Sequence, residues 1–433
     1  MLTVLDLPDD LSLQPLFKRA AAGVTDIGEK VRQILNQVKD GGDKALLDFT
    51  ARFDGVDLNA LEVPQNIIWD SANQLDHRLR AAMELAARNI EAFHHTQTEP
   101  LREVETMPGV RCWRKSVPIE RVGLYIPGGS APLFSTLLML AIPARLAGCD
   151  EIILCTPPAK DGRIHPAILF AARLTGVQRI FTCGGAQAIA AMAYGTESIP
   201  KVDKIFGPGN AWVTVAKQLV SAEGVAIDLP AGPSELAILA DATANPAFMA
   251  ADLLSQAEHG PDSQVLLVSD DNAFISSLLQ ALQEQVQLLP RKEIALKALS
   301  NSFVIRTADL LSAMELINRY APEHLIISCR NQDEIANLVR NAGSVFLGNY
   351  SPESAGDYAS GTNHTLPTMG YARAYSGVSL DSFVRKITYQ QISPEGLENI
   401  GPAVEIMAEA EGLQAHRNAV SIRLKYIHSG NKA

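Results

Sequence analysis

From Val122 onward, short β-rich runs alternate with helical runs, and this alternation constrains the fold more than any other feature. Candidate strands at Val122–Ile126, Glu151–Cys155, Arg179–Cys183, Lys204–Phe206 and Val225–Leu229 are separated by helical runs over 136–146, 166–174, 186–194 and 211–222. A second block repeats the rhythm, with strands at 235–239, 264–268, 302–305, 324–328 and 343–346 and helices at 247–258, 273–289, 310–320 and 334–340. Strands alternating with helices build parallel sheets covered on both faces. The expected fold is α/β, with two such sheets. The N-terminal third reads as helical, over 26–38, 44–53 and 72–93, with Gly41-Gly42 closing the first of these runs. The tail, 397–427, reads as a helical appendage.

Composition narrows the function. A chain of 433 residues suits two to four domains. A net charge of −11 argues against nucleic acid or anionic lipid as the main partner. Val122 to Ala144 carries no charge, yet Gly123, Pro127, Gly128, Gly129, Pro132 and Pro143 make it a poor membrane span. The start, MLTVLDLPDD, lacks a basic run, so no targeting segment is expected. The five cysteines are dispersed and form no CxxC pair, which disfavours a thiolate zinc ribbon and suits a reducing, cytoplasmic setting.

Four consecutive strands of the first block end in glycine turns that feed helices: Pro127-Gly128-Gly129-Ser130, Gly184-Gly185-Ala186-Gln187, Gly207-Pro208-Gly209-Asn210 and Pro230-Ala231-Gly232-Pro233-Ser234. Ligand sites in open α/β folds lie at carboxyl ends of strands, and glycine lets backbone amides approach an anion. A nucleotide or phosphate ligand follows, although turns need glycine in any case. The dinucleotide fingerprint is incomplete: Gly207 and Gly209 are present and Asp228 stands at the ribose-reading offset, but Trp212 occupies the third glycine position. Elsewhere, Gln256 and His259 are three apart at a helix end, a spacing that serves a shared metal or plain surface polarity. Glu323-His324 sets an acid beside a base at a strand start. His416 follows Glu411 by five residues, about 140° apart on one straight helix. The polar stretch 351–369 contains Asp357 and His364; Tyr358, Leu366 and Pro367 favour an ordered functional loop.

Taken together, RVGLYIPGGSAPLFST (121–136), GGAQAIAAMAYGTESIPKVDKIFGPGNAWV (184–213), DLPAGPSE (228–235), DLLSQAEHGPDSQ (252–264), YAPEHL (320–325), SAGDYASGTNHTLPT (354–368) and EGLQAHRNAV (411–420) resemble the histidinol dehydrogenase family, over about residues 25 to 425. The resemblance implies a zinc- and NAD-dependent oxidation of L-histidinol to L-histidine through the aldehyde, the last step of histidine biosynthesis. It implies Gln256, His259, Asp357 and His416 as ligands of one Zn2+ per subunit, and Glu323 and His324 as the catalytic pair. Ser234 and Glu411 join Gln256, His259, His324, Asp357 and His416 around the substrate, and Tyr125, Gln187 and Asn210 contact NAD. The family fold is two incomplete Rossmann-like domains with helical terminal segments, in a homodimer whose tails are shared between sites. The corresponding division here is an N-terminal segment at 1–24, a first α/β domain from 25–120 plus 236–378, a second at 121–235 and a tail at 379–433. Two alternatives remain: a cysteine-dependent aldehyde dehydrogenase using Cys112 or Cys149, and a non-catalytic metabolite-binding relative.

Overall fold

Both sheets that the alternation predicts are present, and both are parallel. The structure, a computed structural model, describes residues 2–6, 19, 24–128, 132–229 and 232–430. Most of the 1–24 segment, with Gly129, Ser130, Pro230 and Ala231 of the glycine turns, lies outside the described residues. The five-stranded sheet runs in the order Arg179–Thr182, Glu151–Thr156, Arg121–Tyr125, Lys204–Phe206, Ala226–Ile227. The six-stranded sheet runs in the order Thr3–Asp6, Phe303–Arg306, Gln264–Ser269, Glu235–Ala240, His324–Ser328, Ser344–Leu347. Leaving out Thr3–Asp6, which adds an edge, each sheet has the chain order third, second, first, fourth, fifth. The order therefore reverses beside the first strand of each.

The core explains why these strands were legible. Glu235–Ala240 and Gln264–Ser269 are buried along their whole length, as central parallel strands covered on both faces must be. The uncharged stretch from Val122 splits into the strand Arg121–Tyr125 and the helix Phe134–Ala147, nearly all of it buried. No helix among the described residues is long and apolar enough to cross a membrane.

By contact the chain forms two compact units, residues 1–97 with 119–383, and 98–118 with 384–433. Both parallel sheets belong to the first. The second holds an antiparallel sheet in the order Val384–Ile392, Val110–Pro118, Glu103–Met107, and the helices Pro394–Ala410 and Gln414–His428. The reading of a helical N-terminal third and a helical tail missed this sheet. Its strands are mostly solvent-exposed, so no apolar alternation marks them; a backbone ladder and the stacked Trp113 and Tyr389 rings, 5.4 Å apart, hold them. Gly41-Gly42 does close the first helical run: Val24–Phe53 is two helices joined at a kink, where Gly42 leaves helical geometry at φ 53°.

Asp228, at the ribose-reading offset, has another job. Its side chain is 2% exposed and ion-paired with Lys217. It accepts from the Gly207 and Leu229 amides at 2.8 Å each, while Lys217 Nζ donates to the Gly207 carbonyl at 2.9 Å. The pair pins the turn after Lys204–Phe206. Lys217→Met would leave a carboxylate buried without its cation. The expected loss is about 3–5 kcal/mol, read as a lower urea midpoint at unchanged slope.

Candidate active site

The two sheets meet the site with opposite ends. In the five-stranded sheet, the carboxyl ends of Arg121–Tyr125 and Lys204–Phe206 flank the reversal in strand order, the usual ligand position of an open α/β sheet. Gly207 stands there at φ 125°, and a Cβ on it would fall on the Tyr125 carbonyl. The Tyr125 hydroxyl accepts from the Gly185 amide at 3.0 Å. Asn210 caps the helix Ala211–Ala222, its side chain accepting from the Trp212 and Val213 amides at 3.1 and 3.2 Å. The N-terminus of that helix and that of Gly185–Tyr194 line a cavity of about 1280 Å³. Tyr125, Gln187, Asn210, Ser234 and His259 all line it. Helix N-termini attract anions, so its size and its walls fit a dinucleotide with its pyrophosphate at these turns.

The six-stranded sheet presents its amino ends instead. Ser234 precedes Glu235–Ala240, and Glu323 precedes its neighbour His324–Ser328. The carboxyl-end rule therefore describes one sheet only. The helix Pro246–Ala257 also terminates here, carrying Gln256, and the His259 amide donates to the Gln256 carbonyl at 3.3 Å. Gln256 is fully buried, which excludes the surface-polarity reading for it, whereas His259 is exposed.

Behind His259 lies a buried acid–imidazole cluster. His324 Nδ1 is 3.3 Å from the Glu235 carbonyl. A carbonyl only accepts, so Nδ1 carries the proton and Nε2 keeps its lone pair, 3.7 Å from Asp357 Oδ1. Burial drives the His324 pKa down to about 3, so the ring is neutral at pH 7. Glu323 Oε2 accepts from the Glu235 amide at 2.8 Å and lies 3.6 Å from His324 Nδ1. Burial pushes its carboxyl well above the usual range, with the charges of Glu235 and Asp357 adding to the effect. Burial likewise raises Asp357 to about 7.

Sequence reasoning missed Glu353. It opens the short helix Glu353–Tyr358 and is 1% exposed, and its Oε1 lies 3.5 Å from His324 Nδ1. The orientation of the Gln256 carboxamide that satisfies its neighbours has its nitrogen donating to Glu353. The spacing of four to Asp357 within 351–369 was the available signal. That stretch is ordered, as expected: Leu366 is buried, and His364 bonds Thr136 Oγ1 at 2.9 Å and the Asp357 carbonyl at 3.0 Å. Tyr358 is exposed and contributes no core.

Ligand atoms of His259, Glu353 and Asp357 lie within 4.8 Å of one another. Crowded carboxylates at a helix C-terminus, where the backbone is partly negative, suit a cation. An imidazole, carboxylates and an amide without thiolate suit a zinc with open positions. The donor set of the first unit therefore fits the metal. Glu411 and His416 lie in the second unit. They do not share a helix: Glu411 caps Pro394–Ala410, Gly412 at φ 74° breaks the chain, and His416 stands exposed in the first turn of Gln414–His428. The straight-helix angle between them does not apply.

No cysteine lines the cavity among the described residues. Of the proposed nucleophiles, Cys112 lies on Val110–Pro118 of the second unit, and burial pushes the Cys149 thiol up to about 12.

The family model described as histidinol dehydrogenase matches residues 17–424. The chain belongs to the histidinol dehydrogenase family. The histidinol dehydrogenase of Bacteroides thetaiotaomicron is 59% identical over 424 residues, covering 98% of this chain and 99% of that one. The crystal structure of histidinol dehydrogenase from Elizabethkingia anophelis matches with a TM-score of 0.97 at 51% identity, over 99% of each chain. An acetylating aldehyde dehydrogenase from Geobacillus thermoglucosidasius matches at 14% identity and a TM-score of 0.50, over 88% of this chain and 98% of that one, a likeness of fold alone. The α/β fold and the family that the motifs implied are thus both found.

Proposed function

We propose that this oxidoreductase converts L-histidinol to L-histidine by way of L-histidinal, the last step of histidine biosynthesis, reducing two NAD. The observation that carries the reading is a neutral His324, its Nε2 free and turned to Asp357, beside Glu323. A zinc ion held by Gln256, His259, Asp357 and His416 supplies a template and positive charge for a substrate with an imidazole and an amine. NAD supplies the hydride acceptor. Ser234 and Glu411 complete the substrate contacts, and Tyr125, Gln187 and Asn210 hold the dinucleotide.

His324 Nε2 takes the hydroxyl proton as hydride leaves the alcohol carbon. The aldehyde then adds water. Glu323 takes a proton from that water, its basicity raised by the same desolvation that raises its pKa. A second hydride leaves the hydrated aldehyde, whose water has already given its proton to Glu323, and the acid results. Holding the aldehyde between steps keeps it from solvent. Each site needs two chains in this reading, because His416 and Glu411 come from the tail of the other subunit of a homodimer. Ile406, Met407, Ile422 and Tyr426, more than half exposed on the helices of the second unit, favour a partner copy there.

The deciding measurement is NADH absorbance on adding histidinol and zinc, with and without a chelator. No NADH with zinc present refutes the activity and leaves a non-catalytic relative. Activity that survives chelation and fails in Cys149→Ser favours the cysteine route.

Glu353 gives a sharper test of the zinc site. Its carboxylate holds the Gln256 amide, and partners of this kind typically carry 10- to 100-fold in metal affinity. Glu353→Ala is expected to weaken zinc by roughly that factor, measured by competition with a chromophoric chelator. Unchanged affinity would remove Gln256 from the ligand set.

A further inference from the structure

One carboxylate of the cavity is left without a task. Asp54 follows the helix Val24–Phe53, its amide closing the last turn on the Thr50 carbonyl at 2.9 Å. An acid is disfavoured there, because the partial charge of a helix C-terminus is negative. Its Oδ2 is buried and has no hydrogen-bond partner among the described residues. Such an atom costs stability unless a ligand satisfies it. Asp54 lines the same cavity as Tyr125, Gln187 and Asn210.

Its place identifies the ligand group it faces. The helix bearing Asp54 packs on the helices Gly185–Tyr194 and Ala211–Ala222 of the five-stranded sheet, whereas His259 belongs to the six-stranded one. The nicotinamide of a dinucleotide must lie at the His259 end, where hydride is released. The adenosine half would then extend toward Asp54, which lines the cavity together with the apolar side chains of Ile34 and Phe53. The sugar there offers two adjacent hydroxyl donors. The acid at the fingerprint offset cannot take them, since Asp228 is spent on Lys217 and on the Gly207 and Leu229 amides. No lysine or arginine lines the cavity among the described residues, so nothing cationic stands ready for a 2′-phosphate.

We propose that Asp54 accepts hydrogen bonds from the adenosine ribose hydroxyls of the dinucleotide and repels a 2′-phosphate, and so selects NAD over NADP. This rests on the dinucleotide reading of the cavity. The test is calorimetric titration of the full chain with ADP-ribose and with 2′-phospho-ADP-ribose, for wild type, Asp54→Ala and Asp54→Asn. Wild type binds ADP-ribose and discriminates against the phosphorylated probe. Asp54→Ala loses roughly ten- to a hundredfold in ADP-ribose affinity, the size of a hydrogen bond to a charged group, and the discrimination shrinks in step. Asp54→Asn keeps the shape and relaxes the rejection of the 2′-phosphate. In turnover the defect of both variants falls on KM for NAD. If wild type binds ADP-ribose and both variants keep its affinity and its discrimination, the role of Asp54 is overturned while the dinucleotide reading stands. If wild type binds neither probe, both fall together.

Discussion

Glu323→Gln should split the two oxidations. Glutamine keeps the shape of the side chain and can still accept from the Glu235 amide, but it cannot take a proton from water. Hydration of the aldehyde should slow by ~10²–10⁴-fold, the usual contribution of a general base. Oxidation of the alcohol should persist better, because its proton goes to His324 Nε2. His324→Ala should show the reverse bias, with the first step impaired more than the second. The measurement compares NADH formation from histidinol with that from added histidinal, at saturating NAD and confirmed zinc content. Equal loss of both steps in Glu323→Gln would remove Glu323 from the water-activating role.

A mixture of two inactive proteins should regain activity. His259→Ala and His416→Ala each remove one proposed zinc ligand, one from each unit of the chain. As homodimers, each should bind zinc poorly and turn over little. After joint unfolding and reassembly, half of the dimers pair the two variants. In each of these, one site collects both defects and the other collects none. Random pairing of equal amounts restores about a quarter of wild-type activity. If each site were built within one chain, every site would keep one defect and no activity would return. Native mass spectrometry showing heterodimers without regained activity would refute the shared site.

The fold was legible where burial wrote it into the residues. ELAILA and QVLLVS are apolar along almost their whole length because helices cover both faces of the sheet. The exposed strands Glu103–Met107, Val110–Pro118 and Val384–Ile392 carry no such mark, and none of them reads as a strand in the sequence. Thr3–Asp6 is too short and too exposed to stand out. The site was legible as loops and as family motifs, not as a constellation. Glu323 and His324 read as a pair only because they are adjacent. Glu353 meets His324 and Gln256 across about thirty and about a hundred residues of chain, separations that no local pattern spans. Asp228 shows the opposite failure: its spacing fitted a ligand role, and only the position of Lys217 reveals that it is spent on the turn.

Two sheets of one strand order, used from opposite ends, also arrange the backbone dipoles around the cavity. Near His259 the wall is built where a helix ends, and near Gly185 and Asn210 where helices begin. The peptide groups alone thus grade the cavity from partly negative on the His259 side to partly positive on the Gly185 and Asn210 side. In the proposed reaction, a hydride leaving the alcohol carbon for the dinucleotide would carry its electron pair down that gradient. The field is set when the chain folds, and it requires no side chain to move at the moment of transfer.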